Sequence, residues 1–151
     1  MPANDATVVL RVSVSGLLAW IIPGLGHIYL GLRIRGLVLL VTITATFWTG
    51  VAIGGVRETV DPQEKKLWFI AQIFNGGNTL SAYALSQSIA RTAAGSGSPA
   101  PMGHWLSADV GVHYTGVAGL LNLLVILDAV GCAETSRGSR RHRRELQEVV
   151  P

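Results

Sequence analysis

The sequence predicts an all-α fold, a polytopic transmembrane helical bundle with four spans. Only 14% of the 151 residues are charged, about half the share usual in soluble domains, while 49% are hydrophobic. The charged residues leave four runs without Asp, Glu, Lys or Arg: 12–32, 36–56, 67–90 and 110–127. An uncharged, mainly apolar stretch of about 18 or more residues is typical of a membrane-spanning helix, so each run is a candidate span. This pattern argues against an ordinary soluble globule.

The first two runs predict a helical hairpin over residues 12–56, preceded by an N-terminal tail at 1–11. Its spans are 12–31 and 36–56. Because the link between them is too short for anything but a tight turn, we expect the two helices to run antiparallel.

The first span contains a proline and two glycines near its end. Pro23 removes a backbone donor and clashes with the preceding turn, which predicts a kink. Gly24 and Gly26 permit close approach, so we expect this span to pack against protein, most simply against 36–56. No small-x-small cleavage site follows the run, and we expect it to be retained rather than removed as a signal peptide.

A charged loop at 57–66 leads to a second helical pair over 67–131. Its spans are 67–90 and 110–131, and a Gly- and Ser-rich linker at 91–109 joins them.

The third span is more polar than the others. Asn75 and Asn78 recur with small residues at three- and four-residue steps, which gathers them on one helical face that should look into the bundle. The paired glycines at 76–77 offer an alternative, because they could mark a break. The chain would then have three spans plus a re-entrant segment.

Charge indicates the orientation. In the four-span arrangement, nine of the twelve Lys and Arg residues lie on the side of both termini. The positive-inside rule then places both termini in the cytoplasm, with the spans in the cell (inner) membrane. The turn with Arg33 and Arg35 would face outward, although such basic turns usually stay inside. Three crossings would put this turn and the C-terminal tail inside together, so three and four spans both remain possible.

The C-terminal segment 132–151 is a basic tail that we expect to be disordered. Its arginines are expected to contact anionic lipid head groups: Arg137, Arg140, Arg141, Arg143 and Arg144. Other membrane proteins or further copies of the chain are the expected protein partners. No nucleic-acid partner is expected.

The segment from Trp20 to Gly31 resembles the PGxGxxYxG signature of the two-transmembrane (TM-two) domain family. The matching positions are Pro23, Gly24, Gly26, His27, Tyr29, Gly31 and, beyond the turn, Gly36. The resemblance implies two hydrophobic helices joined by a short polar turn. The whole chain, including 114–122 and Asp128, is similar to a small family of uncharacterised multi-pass bacterial membrane proteins. That similarity implies a membrane location and no particular activity.

Motifs that would carry catalysis are missing from the sequence. It contains no GxSxG, HExxH, phosphate-binding loop or dinucleotide fingerprint. Cys132 is the sole cysteine, and no CxxC or Cys/His cluster suggests a structural zinc site. We therefore expect no catalytic residue, metal or cofactor.

His27 is the main candidate for chemistry, because an ionisable residue inside a membrane is a functional hypothesis by default. Its partner would be His113 in the four-span arrangement or Asp128 in the three-crossing one. Alternatively, His27 lies near the membrane boundary and bonds a backbone carbonyl or a tyrosine. Asn75, Asn78 and Asn122 are expected to form interhelical hydrogen bonds.

The sequence favours a non-catalytic scaffold, assembly or regulatory module that acts through helix packing. An oligomeric unit that conducts a small solute or protons, built around the polar face of 67–90, is the alternative. A membrane enzyme that uses His27 and His113 is the third possibility.

Overall fold

The computed structural model describes residues 3–59, 66–96 and 105–149, and their regular elements are all α-helices. In chain order these are α1 (Ala3–Ile21), α2 (Leu25–Tyr29), α3 (Arg33–Gly54), α4 (Val56–Thr59), α5 (Lys66–Ile73), α6 (Gly76–Ser96) and α7 (Trp105–Val149). The predicted all-α bundle is confirmed.

The predicted count of four spans is not supported. Within the described ranges, two helices are long and apolar enough to cross a membrane, namely α3 and the Ser107–Thr135 part of α7. The other two predicted spans, 12–31 and 67–90, are each broken into two helices.

The centre of the fold is the antiparallel pair of α3 and α7. Arg35, near the start of α3, contacts Asp128 late in α7, while Gly54 at the end of α3 lies beside Gly111 early in α7. A Cβ atom added at Gly111 would lie 2.6 Å from both the Gly50 carbonyl oxygen and the Gly54 Cα. The two backbones are therefore in direct contact, as expected of small-xxx-small packing.

The first predicted span ends at Pro23 instead of continuing through a kink. α1 stops at Ile21, and Gly24 adopts a φ of 81°, a left-handed conformation that side chains disfavour. The chain reverses there, and α2 runs back beside α1. α1 and α3 both pack on α7, and α2 packs on both of them, but in the described ranges no Cα atom of α1 lies within 8 Å of one of α3. The expected pairing of 12–31 with 36–56 is therefore formed by α2 alone.

The third predicted span breaks at residues 74–75, directly before the paired glycines. α5 runs parallel to α7, since Trp68 lies against Gly116 and Ala71 against Gly119. Beyond the break, α6 leaves α7 and returns to contact α4, which follows the end of α3.

The two broken segments meet at their turns. The Trp20 Nε1 donates a 2.9 Å hydrogen bond to the carbonyl oxygen of Ile73. Gly76 lies against the Trp20 ring, and Gly77 lies against the Ile21 carbonyl, so neither position has room for a side chain. This meeting point lies beside Asn122, half-way along the apolar part of α7.

Helix α7 continues to Val149, whereas a disordered tail was expected over 132–151. Arg, Glu, Leu and Gln are strong helix formers, and proline first recurs at Pro151, so nothing in the sequence stops the helix earlier. The side chains of the five tail arginines lie outside the described residues, and their expected lipid contacts stay a prediction.

Replacing Gly111 by Ala should destabilise the fold by at least the roughly 1–3 kcal/mol typical of overpacking, because the new methyl group meets backbone on α3. The measurement is thermal unfolding of the detergent-purified protein, followed by circular dichroism. Gly131→Ala is the matched control on the same helix, since a Cβ there meets no atom within 4 Å. The control should be unchanged or slightly more stable. Equal behaviour of the two variants would contradict the close packing of α3 on α7.

Candidate functional site

A buried histidine forms the centre of the candidate site. His27 lies on α2, which the reversal at Gly24 turns back against α7, and its side chain is fully buried. Its Nε2 lies 2.6 Å from Oδ2 of Asp128 on α7. With Asp128 ionised, its oxygens can only accept, so Nε2 is then the donor in this contact. The other ring nitrogen, Nδ1, is buried and has no hydrogen-bond partner in the described part of the chain.

An arginine shares the same carboxylate. The Nη2 atom of Arg35 lies 2.9 Å from Oδ2 of Asp128 and 3.1 Å from Oδ1. The Arg35 side chain is 54% exposed and that of Asp128 is 39% exposed, so solvent screening leaves this ion pair worth little by itself. The contact nevertheless joins α3 to α7, and the Asp128 carboxylate is shared between His27 and Arg35.

Of the two expected partners for His27, the structure places Asp128 beside it and not His113. The four-span arrangement separated His27 from Asp128 because it carried the first segment across the whole bundle. The early reversal at Gly24 instead returns α2 to the level of Asp128. His113 is exposed, its ring packs against Trp68 with 4.5 Å between centroids, and its Nδ1 donates to the carbonyl oxygen of Asp109.

Cys132 completes a group of metal-ligating atoms. It lies four residues after Asp128, on the same face of α7. One ligand atom each of His27, Asp128 and Cys132 lie within 4.8 Å of one another. Arg35 and Cys132 were not among the residues predicted to form a site. The four-residue spacing from Asp128 to Cys132 was a signal for the cysteine, but nothing local in the sequence connects either residue to His27.

A second polar cluster lies where the two broken segments meet. Asn122 Nδ2 donates to the carbonyl oxygens of Ala19, at 3.1 Å, and Phe74, at 2.8 Å. These carbonyls belong to the last turn of α1 and to the turn after α5. One buried side chain on α7 therefore satisfies backbone groups that two interrupted helices leave open.

The polar residues around the α5–α6 turn extend this cluster. Gln72 Nε2 donates to the Thr115 hydroxyl at 2.7 Å and to the Thr59 carbonyl at 2.9 Å. Asn78 Nδ2 donates to Oδ1 of Asn75 at 3.1 Å. All of these residues except Asn78 are buried, and Asn78 is half-buried.

The remaining residues of the PGxGxxYxG motif serve the turn. Gly24 and Gly36 are in backbone contact, which brings the start of α3 against the reversal. Gly31 has a φ of 91° and open space around it, so it provides conformation rather than packing. Tyr29 is 45% exposed.

The fold and its buried residues define a class, a helical bundle whose interior combines an apolar core with buried polar residues and whose exterior carries large apolar side chains. The chain belongs to the DUF6677 family, a family of unknown function, whose model matches residues 14–142. The match covers both polar clusters and agrees with the expected similarity to an uncharacterised family. No curated protein and no solved structure matches the chain. The likeness to the two-transmembrane domain stays a prediction.

Replacing Asn122 by Leu, which has a similar size, should lower the free energy of unfolding by about 1–3 kcal/mol, because two buried carbonyl groups lose their donor. Chemical denaturation of the detergent-purified protein measures this change. Leu124→Ala on the same helix is the control, since Leu124 is 63% exposed and should contribute little. A larger loss in Leu124→Ala than in Asn122→Leu would refute the role of Asn122.

Proposed function

We propose that the chain is an integral protein of the cell (inner) membrane, a small scaffold or assembly module that acts through helix packing. The observation that carries this proposal is that large apolar residues lie outside the bundle while several polar residues are buried beside its apolar core. Large apolar residues face outward on both long helices: Ile34, Leu37, Val38 and Val41 on α3, and Leu120, Leu121, Leu124 and Leu127 on α7. The buried polar residues are Ser15, His27, Thr59, Gln72, Asn75, Thr79, Ser86, Thr115 and Asn122.

This distribution is unfavourable in water and favourable in lipid. Soluble monomers rarely expose apolar patches of more than a few hundred Å², because each such patch costs free energy in water. A bilayer accepts leucine and isoleucine on the outside, and it requires polar groups to find partners within the protein. The outward leucines, isoleucines and valines of α3 and α7 therefore support a lipid-facing surface.

In the proposed topology, two helices cross the membrane and two segments enter and return. α3 and α7 are the crossings. The segment α1–α2 enters from the side where α3 begins, and α5–α6 enters from the side where α3 ends. Each turns back at mid-depth, where Asn122 and Trp20 provide donors for the interrupted backbone.

This topology places both termini and the turn at 32–35 on one side. Eight of the twelve Lys and Arg residues then lie on that side, including Arg33, Arg35 and the tail arginines. The positive-inside rule favours this side as cytoplasmic. The basic turn no longer faces outward, which removes the conflict in the four-span arrangement.

The outward apolar faces support the scaffold role. α3 and α7 have leucine-rich surfaces left for contact with other membrane proteins or with further copies of the chain. The tail arginines continue from α7 on the cytoplasmic side, where they would contact anionic lipid head groups.

The topology predicts a labelling pattern for single cysteines in a Cys132→Ser background. After alkaline carbonate extraction the protein should remain with the membranes. In a separate experiment on spheroplasts, a membrane-impermeant maleimide should modify Gln63→Cys and Ser98→Cys, because the proposed topology puts both positions outside. Ile34→Cys should react only after permeabilisation, although its side chain is 83% exposed in the protein.

The other arrangements give different patterns. Four spans would protect Gln63→Cys and expose Ile34→Cys. Three crossings would agree with the proposal at all three sites but would expose Asn4→Cys, which the proposed topology keeps inside. Release of the protein by carbonate would overturn the membrane location itself.

Conduction of a small polar solute or protons is a second candidate. The observation that favours it is a group of buried polar atoms without hydrogen-bond partners among the described residues: Gln72 Oε1, Asn75 Nδ2 and Asn122 Oδ1. All three belong to the polar cluster where the broken segments meet. Vesicles that contain the purified protein should then dissipate an imposed proton gradient faster than empty vesicles, and Asn75→Leu should reduce the rate. A rate equal to that of empty vesicles would contradict conduction, and the scaffold role would be the one that remains.

A further inference from the structure

We propose that His27, Asp128 and Cys132 form a binding site for a divalent transition metal ion, with Zn²⁺ the best match. The site goes beyond the scaffold function and does not depend on it, because metal binding is a property of the purified chain.

The donor set determines the class of ion. An imidazole nitrogen, a carboxylate oxygen and a thiolate sulfur together suit Zn²⁺ and related ions of intermediate softness. Mg²⁺ and Ca²⁺ prefer oxygen ligands only, so nitrogen and sulfur donors disfavour them. A carboxylate and a thiolate also supply negative charge to a divalent cation, although Arg35 already shares the carboxylate.

The fold brings these donors together from two elements. Asp128 and Cys132 are one helical turn apart on α7, a spacing that directs both side chains to the same side. His27 reaches them from α2, where it is fully buried and held by the reversal at Gly24. The three ligand atoms already lie within 4.8 Å of one another.

Metal binding requires a small rearrangement. Ligands at about 2.0–2.3 Å from a tetrahedral zinc ion lie roughly 3.3–3.8 Å apart. The 2.6 Å contact between His27 and Asp128 must therefore open, and the imidazole proton must move from Nε2 to Nδ1 so that the neutral ring can bind through Nε2. The Cys132 thiol releases its proton to the solvent when it binds the metal as thiolate. Arg35 also donates to Oδ1, so it can keep hold of the carboxylate while Oδ2 turns to the metal.

The arrangement leaves room for a fourth ligand. Three protein donors are the usual number at zinc sites that keep an open position for water or substrate. Asp128 is 39% exposed, so the carboxylate side of the cluster is open to the surroundings. The ion can reach the cluster from this open side.

The experiment uses the full chain, purified in detergent and freed of metal with a chelator. Titration with Co²⁺ should give one equivalent of binding, visible bands of a tetrahedral ion and a near-ultraviolet charge-transfer band from the thiolate. Zn²⁺ should displace the cobalt and should slow the alkylation of Cys132, the sole cysteine of the chain.

Variants separate this site from adventitious binding. Cys132→Ser should lose the charge-transfer band, and His27→Gln should weaken binding by at least about tenfold and abolish the protection of Cys132 by Zn²⁺. His113→Gln is the matched control, because His113 lies outside the cluster, and it should bind cobalt like the parent. No binding by the parent, or equal effects of His27→Gln and His113→Gln, would overturn the proposal. Protection of Cys132 is measured on the parent chain as well, so it does not depend on any variant folding.

Discussion

A helix that ends inside a bundle leaves backbone carbonyl groups without partners, and two such ends meet beside Asn122. Its amide donates to the carbonyls of Ala19 and Phe74, and the Trp20 indole donates to that of Ile73. In lipid no water could replace these donors. The reversal after α1 and the turn after α5 therefore both depend on two side chains, one from α7 and one from α1.

Helix α7 is the common partner of most other elements, and its residue types show where each one approaches. Gly111 admits α3, while Gly116 and Gly119 admit α5. Ala129 lies against Gly26 of α2. These small residues share the buried face with Thr115 and Asn122, and the leucines lie on the opposite face. One helix thus combines backbone contact, buried hydrogen bonds and an apolar outer surface. The leucines of the outer face explain why the hydropathy of α7 is high although its buried face is partly polar.

The sequence was sufficient to predict the all-α fold and two of the four long apolar helices, because these follow from local composition. The expected contact with 36–56 is made by Gly24, whereas Gly26 packs on Ser15, Ala19 and Ala129. The sequence was not sufficient for the span count. Length and hydropathy do not distinguish a helix that crosses from one that turns back, and Pro23 is compatible with both a kink and an end. The reversal depends on Gly24 adopting a positive φ against Gly36, a contact between segments. For the same reason Arg35 and Cys132 were missed, since only the folded chain brings them to His27.

The contact between Arg35 and Asp128 bears directly on orientation. It requires the turn at 32–35 and the late part of α7 to lie at the same end of the bundle. The tail arginines begin nine residues after Asp128 on the same continuous helix, so they extend from that end too. The contact and the continuity of α7 therefore place the two most basic segments of the chain at the same end of the bundle. The proposed topology puts both segments on one side of the membrane, which is the arrangement that the positive-inside rule favours.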